Sequence, residues 1–181
     1  HDNIAVGQSA LTLNTIGNDN IAIGTNALYF NSTGVGNTAV GFQCLSENTT
    51  GEDNTAIGRE TMYFNTTGNN NTAVGSRSLN HNTTGSYNTA LGYHCLAAND
   101  SGGGNTGIGY FSLNQNTTGG HNTAIGDNSL YQNTTGSNNT ALGNFAGFNV
   151  TSGNNLMCLG NNAQPTTGDA VNQITLGDGN I

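Results

Sequence analysis

The chain has 181 residues, of which only 33% are hydrophobic and 7% charged, and its formal net charge at pH 7 is -8. It contains no lysine, and Arg59 and Arg77 are its only cations. The clustered positive charge that nucleic acids and anionic membranes attract is therefore missing. No apolar run approaches the roughly 20 residues of a membrane-spanning helix. These properties exclude nucleic-acid binding and membrane insertion.

A five-residue phrase that ends in glycine returns every 17 residues, for example as Asn54-Thr55-Ala56-Ile57-Gly58. Its glycines are Gly7, Gly24, Gly41, Gly58, Gly75, Gly92, Gly109, Gly126, Gly143, Gly160 and Gly177. A fixed short period indicates a solenoid, in which each repeat forms one coil stacked on the next. The sequence thus predicts an all-β parallel β-roll or β-solenoid of eleven 17-residue coils. At about 4.8 Å per coil, this rod would be roughly 50 Å long.

Each coil opens with a predicted strand. The residue before the repeating glycine is always aliphatic, and the residue two positions earlier is threonine or apolar. Strand side chains alternate, so these two residues share one face, which we predict to line the interior of the coil. The residue between them is usually alanine. We predict that this small face admits a second subunit, so that Ala56 lies near another chain while Ile57 lies inside its own coil.

The rest of the coil has its own fixed positions, shown here for the third coil. Leu45 is predicted to be a second interior residue. Asn48 recurs in most coils, which predicts a ladder of side-chain amides along the stack. Thr49-Thr50 suits a second short strand. Gly51 suits a turn with positive φ.

The pattern changes near the end of the chain. Gly147 stands in the leucine position, Val150 stands in the asparagine position, and Pro165 is the only proline. We predict a regular solenoid over residues 1–143. Residues 144–181 are predicted to be modified terminal coils that lead into a downstream segment.

Association between copies is expected from the small core. Each coil supplies two sizeable apolar groups, worth about 1.5–3 kcal/mol apiece when buried. Ordering the chain costs about 1–2 kcal/mol per residue. Oligomerisation would supply the missing burial, and closed symmetry is its usual form.

The Asn-Thr-Ala-Ile-Gly phrase, the Ala/Ser-Leu step and the Asn-Thr-Thr-Gly link resemble the repeats of trimeric fibre proteins. These are the heads of trimeric autotransporter adhesins and the shafts of phage or viral tail fibres. Residues 172–177 are similar to a run near the end of such shafts, where an endosialidase-type intramolecular chaperone often follows. The resemblance implies a left-handed, homotrimeric β-roll in an extracellular, cell-surface or virion-surface fibre. It also implies a structural or adhesive role in displaying or forming a host-surface binding site.

Aromatic residues are the best candidates for ligand contact. Tyr29-Phe30 and Tyr63-Phe64 occupy the same two coil positions, and Tyr131 occupies the first of them in a later coil. Because aromatic rings stack on sugar rings, we predict glycan contact at these five residues. The alternative is that they fill gaps between subunits.

The cysteines are predicted to be buried and unpaired. Cys44, Cys95 and Cys158 all stand where other coils have alanine, serine or threonine. Cys44 and Cys95 lie three coils apart, about 14 Å, which is too far for a disulfide. Small buried hydrophobes fit these positions.

No enzyme, metal or cofactor site is expected. His1, His81, His94 and His121 fall at four different coil positions, and no Ser-His-acid spacing or phosphate-binding loop is present. The acidic corner that contains Asp53 is interpreted as a solvated edge rather than a calcium site. An ice-binding solenoid, suggested by the regular Thr-Thr pairs, is an alternative function.

Overall fold

The structure is a computed structural model that describes residues 2–177, and it is a single parallel β-solenoid. Its eleven strands are β1 (Ile4–Val6), β2 (Ile21–Ile23), β3 (Thr38–Val40), β4 (Thr55–Ile57), β5 (Thr72–Val74), β6 (Thr89–Leu91), β7 (Thr106–Ile108), β8 (Thr123–Ile125), β9 (Thr140–Leu142), β10 (Met157–Leu159) and β11 (Ile174–Leu176). The strands form one sheet in chain order, and each pairs in parallel with the next at an offset of 17 residues, as Ala39 does with Ala56. The predicted all-β solenoid is confirmed. Within the described residues there is no helix that could cross a membrane.

Each coil has three sides, which we name from the fourth coil. The strand face carries the outward side chains of the strand, Thr55 and Ile57. The turn side runs over residues 58–64, and the link side runs over residues 65–71. The same names apply to the equivalent residues of every coil.

The predicted orientation of the strands was wrong. The alanines from Ala22 to Ala141 are fully buried inside their own coils, whereas Ile57 is 41% exposed and Val74 is 37% exposed. The reason is the narrow interior. A methyl group placed on Gly107, which replaces the alanine in β7, would lie 2.6 Å from Cys95 Sγ and 3.4 Å from Leu96 Cδ1. The interior is therefore so narrow that it accepts at most one methyl from each strand, and none beside Cys95, so the larger side chains point outward.

The core consists of stacked columns that run along the rod. The leucine position is fully buried, as predicted, at Leu28, Leu45, Met62, Leu79, Leu96, Leu113 and Leu130. These residues adopt a left-handed backbone, with φ of 53° at Leu45 and 50° at Met62. Such a conformation is costly for a large side chain and persists where the surroundings fix it. Here the left-handed turn directs the leucine inward against the alanine column.

The Thr-Thr segment is not the predicted second strand. The backbone N–H groups of Thr49 and Thr50 both donate to the carbonyl of Thr66, at 3.0 and 3.2 Å. Two successive amides that share one acceptor cannot maintain the evenly spaced ladder of a parallel pair. The link side is therefore hydrogen-bonded from coil to coil without being a strand.

The glycine after the Thr-Thr pair was also predicted for the wrong reason. Gly51 does not have a positive φ. Instead, a Cβ on Gly51 would lie 2.6 Å from the carbonyl oxygen of Gly68 and 2.8 Å from Asn65 Nδ2. Glycine is required here by close packing between coils. Positive φ belongs to the glycine that ends each strand, such as Gly58 with φ of 134°.

Two asparagine ladders run through the link side. The predicted ladder is confirmed: Asn48 Nδ2 donates to Asn31 Oδ1 at 2.7 Å, and the pattern repeats in the coils that follow. A second ladder, which the sequence analysis missed, involves the asparagine just before each strand. In this ladder the backbone N–H of Asn37 donates to Asn20 Oδ1 at 2.9 Å.

The two ladders meet at one carbonyl in each coil. Asn20 Nδ2 and Asn31 Nδ2 both donate to the carbonyl of Gly34, at 2.8 and 3.0 Å. We call this arrangement the asparagine clasp. It recurs at Gly17, Gly51, Gly68, Gly85, Gly102, Gly119 and Gly136. The clasp joins the start, the middle and the end of a coil.

The sheet continues through residues 144–177 in the same register, although the clasp does not. Val150 replaces one ladder asparagine of the ninth coil, Leu156 replaces the other in the tenth, and both are buried. Since valine cannot donate a hydrogen bond, Asn133 Oδ1 is buried without a partner. The division into residues 1–143 and 144–181 stays a prediction, and residues 178–181 lie outside the described part.

We expect Asn82→Ala to destabilise the rod by about 2–4 kcal/mol, since it leaves Asn65 Oδ1 buried without its donor. The mutation also removes the bond of 2.7 Å from Asn99 Nδ2 to Asn82 Oδ1. The measurement is chemical denaturation followed by circular dichroism. Asn149→Ala, at an exposed asparagine, is the control, expected within about 0.5 kcal/mol of wild type. Equal midpoints for the two variants would contradict a stabilising role for the ladder.

Candidate functional site

The first candidate surface is the strand face. Each strand presents two outward side chains, and along all eleven strands these are threonine, isoleucine, leucine, valine or methionine. No charged residue interrupts either column. Because the strands are in register, the side chains form two continuous rows from Ile4 to Leu176. This is an extended, uncharged and largely apolar surface on an otherwise polar rod, and such surfaces mark interaction sites.

The second candidate surface is the turn side, where all the aromatic residues except Tyr87 lie. Equivalent positions in adjacent coils are close enough for rings to stack. Tyr93 and Tyr110 stack with centroids 5.5 Å apart and planes at 11°, and Tyr131 stacks on Phe148 at 5.3 Å and 12°. The fixed 17-residue period therefore converts single aromatic residues into columns of rings.

The structure brings together three of the five predicted ligand-binding residues. Tyr29, Phe30 and Tyr63 line one groove of about 290 Å³ beside Ser46 and Glu47. This groove exists because the third coil has Ser46-Glu47 where the second and fourth coils have Tyr-Phe pairs. Less bulky side chains between two aromatic pairs leave an opening.

The other two predicted residues lie elsewhere on the turn side. Phe64 packs edge-to-face on Tyr63 at 4.5 Å and stacks on His81 at 4.9 Å. Tyr131 contacts Phe111 at 6.0 Å as well as Phe148. Contact of these aromatic residues with a glycan stays a prediction.

A larger groove, of about 410 Å³, lies further along the turn side and was not anticipated. Its lining includes Glu60, Arg77, His81, His94 and Phe111. Glu60, Arg77, His94 and Phe111 occupy the same position in four successive coils and form one column, in which the residue type changes from coil to coil. A search for repeated residue types therefore overlooked it. The available signal was Ala97-Ala98, the one coil with two alanines where other coils have larger pairs.

Both arginines of the chain pair with Glu60, a residue that lines this groove. Glu60 pairs with Arg77, with Oε2 2.6 Å from Nε, and with Arg59, with Oε1 2.8 Å from Nη2. The hydrogen bond from Arg77 holds the pKa of Glu60 below its usual range, with a further contribution from the charge of Arg59. Arg59 also lies over the ring of Phe42 at 5.8 Å. Glu60 is thus a fixed carboxylate held between two guanidinium groups.

The acidic and histidine residues considered in the sequence analysis are not grouped into a metal site in the part of the chain that the structure describes. Within residues 2–177, no three His, Cys, Asp or Glu side chains are grouped as metal ligands. Asp19 and Asp53 occupy left-handed corner positions, with φ of 57° and 54°, and their side chains are exposed. His121 lies at the same corner position of a later coil, and His1 lies outside the described residues.

The three cysteines are free and buried, as predicted. Cys44 Sγ donates to the carbonyl of Ala56 at 3.1 Å, and Ser112 Oγ makes the equivalent bond to Ala124 at 2.9 Å. Burial raises the pKa of the Cys44 and Cys95 thiols to about 12. Both thiols therefore remain protonated at neutral pH, and they serve as core residues rather than nucleophiles.

No protein-family model, curated protein or solved structure matches the chain.

We expect the folded protein to resist alkylation by iodoacetamide at pH 8, because its thiols are buried and the reagent needs a thiolate. After denaturation all three cysteines should react, as counted by mass spectrometry. Cys44→Ser should fold normally, since serine already occupies this position elsewhere. Rapid labelling of the native protein would show that the interior opens readily.

Proposed function

We propose that this chain is a segment of a homotrimeric, left-handed β-roll fibre whose subunits associate through the strand face. The observation that carries the proposal is the unbroken, uncharged row of threonine and aliphatic side chains. The face presents two side chains on each of eleven strands, which is close to the roughly 20–30 residues per side of a stable interface. Burying it would supply the apolar contact that the narrow interior cannot provide.

The partner we propose is a second and a third copy of the same chain. An identical rod has the same rise per coil, so its side chains stay in step with this face over the whole length. A partner of another fold would match the repeat only over a few coils. Closed symmetry covers every copy of the face and leaves none open to further association. The resemblance of the repeats to trimeric fibre proteins supports three as the number of copies.

The proposed role is structural and adhesive rather than enzymatic. A trimeric rod on a cell or virion surface would display or form a site for a host-surface glycan or protein receptor. Three identical copies would multiply weak contacts through avidity. The net charge of -8 and the presence of only two cations agree with the absence of nucleic-acid and membrane partners from this proposal.

We expect light scattering of the purified chain at micromolar concentration to give the mass of three copies. Ile57→Asp should dissociate the trimer, because it would place three carboxylates close together in an apolar interface. Thr67→Asp adds the same charge at an exposed position of the link side and should leave the mass unchanged. A stable wild-type monomer, or an Ile57→Asp variant that stays trimeric, would refute association through this face.

Ice binding is a second candidate, and one observation favours it. Thr38, Thr55, Thr72, Thr89, Thr106, Thr123 and Thr140 form a regular outward column on the strands. The Thr-Thr pairs that suggested this function in the sequence lie on the irregular link side. Ice binding would use the same face as trimer formation, so the two functions exclude each other.

We expect no thermal hysteresis, because the trimer interface covers the threonine column. The measurement is nanolitre osmometry on the chain as purified. Hysteresis that is lost in Thr89→Lys but kept in Thr67→Lys would instead establish ice binding at the strand face.

A further inference from the structure

The larger groove on the turn side is made by a local loss of bulk. In the sixth coil, Ala97 and Ala98 occupy the positions that hold Tyr63 and Phe64 in the fourth coil. The side chains of the fifth and seventh coils at the first of these positions are Asn80 and Asn114, which are also smaller than tyrosine. The opening therefore extends over three coils and reaches about 410 Å³. Ligand pockets for small molecules have similar volumes, from about 300 Å³ upward.

One wall of the groove carries the paired charges. Arg77 donates through Nε to Glu60, and this bond leaves the other guanidinium N–H groups available for a ligand. Arg77 is 45% exposed on its side chain. The wall thus presents hydrogen-bond donors and a carboxylate acceptor next to each other.

The other polar and aromatic groups are held in place by the fold. Asn80 Nδ2 donates to the carbonyl of Glu60 at 2.6 Å, and Asn114 Nδ2 donates to the carbonyl of His94 at 2.9 Å. The imidazole of His94 lies 5.2 Å from the ring of Phe111. Burial is the main cause that lowers the pKa of His94, with a contribution from the charge of Arg77. Groups fixed in advance lose little conformational freedom when a ligand binds.

We propose that this groove binds a neutral pyranose residue of a glycan. Neighbouring sugar hydroxyls each donate and accept hydrogen bonds, and the adjacent guanidinium and carboxylate of Arg77 and Glu60 complement such a pair. The C–H groups of the sugar ring pack on the rings of Phe111 and His94. Glu60 and the acidic rod around it disfavour an anionic sugar. This site is separate from the strand face and does not depend on the proposed trimer.

The test uses the full chain on an array of neutral and sialylated glycans, followed by titration with the methyl glycoside of the best neutral sugar. Ala97→Tyr/Ala98→Phe fills the groove with residues that the fourth coil already accommodates. Thr50→Tyr/Thr67→Phe adds the same two side chains at exposed positions of the link side, away from both grooves, and is the matched control. Arg77→Gln removes the guanidinium group, with its charge and its fork of donors, at a side chain that is 45% exposed. Molecular mass and melting temperature are recorded for every variant.

We expect a neutral pyranoside to bind the wild type and the Thr50→Tyr/Thr67→Phe control equally. Binding should weaken by more than about tenfold in Arg77→Gln and in the groove-filling variant. If the groove-filling variant does not fold, Arg77→Gln alone decides. The proposal is overturned if no neutral glycan binds, if only sialylated glycans bind, or if these variants bind like wild type. The recorded masses test the trimer separately, so either proposal can fail without the other.

Discussion

The structure depends on one carbonyl group in each regular coil, that of the glycine which accepts both asparagine amides. In the third coil this is Gly51, which receives Asn37 Nδ2 at 2.7 Å and Asn48 Nδ2 at 3.0 Å. All three groups are buried, so no water competes for the bonds and each is strengthened by its surroundings. The clasp fixes the spacings of 14 and 3 residues within the coil. An inserted residue would separate donor from acceptor, which accounts for the constant period of the regular coils.

The sequence predicted the period, the parallel sheet, the leucine column and one asparagine ladder, because each is a residue type repeated at a fixed interval. It did not predict which side of the strand faces inward. Alternation shows that Thr55 and Ile57 share a face, but the width of the coil decides where that face points. The width of the coil is set by residues with a left-handed backbone, such as Leu45. Leucine rarely adopts this conformation, so its presence in the sequence does not predict it.

The candidate surfaces, too, could be predicted only in part from the sequence. Tyr29, Phe30 and Tyr63 were recognisable because aromatic residues are conspicuous on a polar rod, and they do line a common groove. The larger groove depends on Ala97 and Ala98, whose contribution is the space that they leave. Its lining comes from neighbouring columns of the turn side in which the residue type changes from coil to coil. A sequence reading that looks for functional side chains has no reason to select two alanines.

The asparagine ladder also gives the rod a dipole along its axis. Backbone hydrogen bonds between coils point both ways, since Gly24 N–H donates toward the preceding coil and Ile21 N–H toward the following one. The side-chain amides do not alternate: Asn31 donates to Asn14, and the same sense is kept as far as Asn133, which donates to Asn116. Their dipoles therefore add along the axis. The ladder therefore offers amide acceptors toward the carboxyl-terminal end of the rod and amide donors toward the amino-terminal end, so a charged partner would distinguish the two ends.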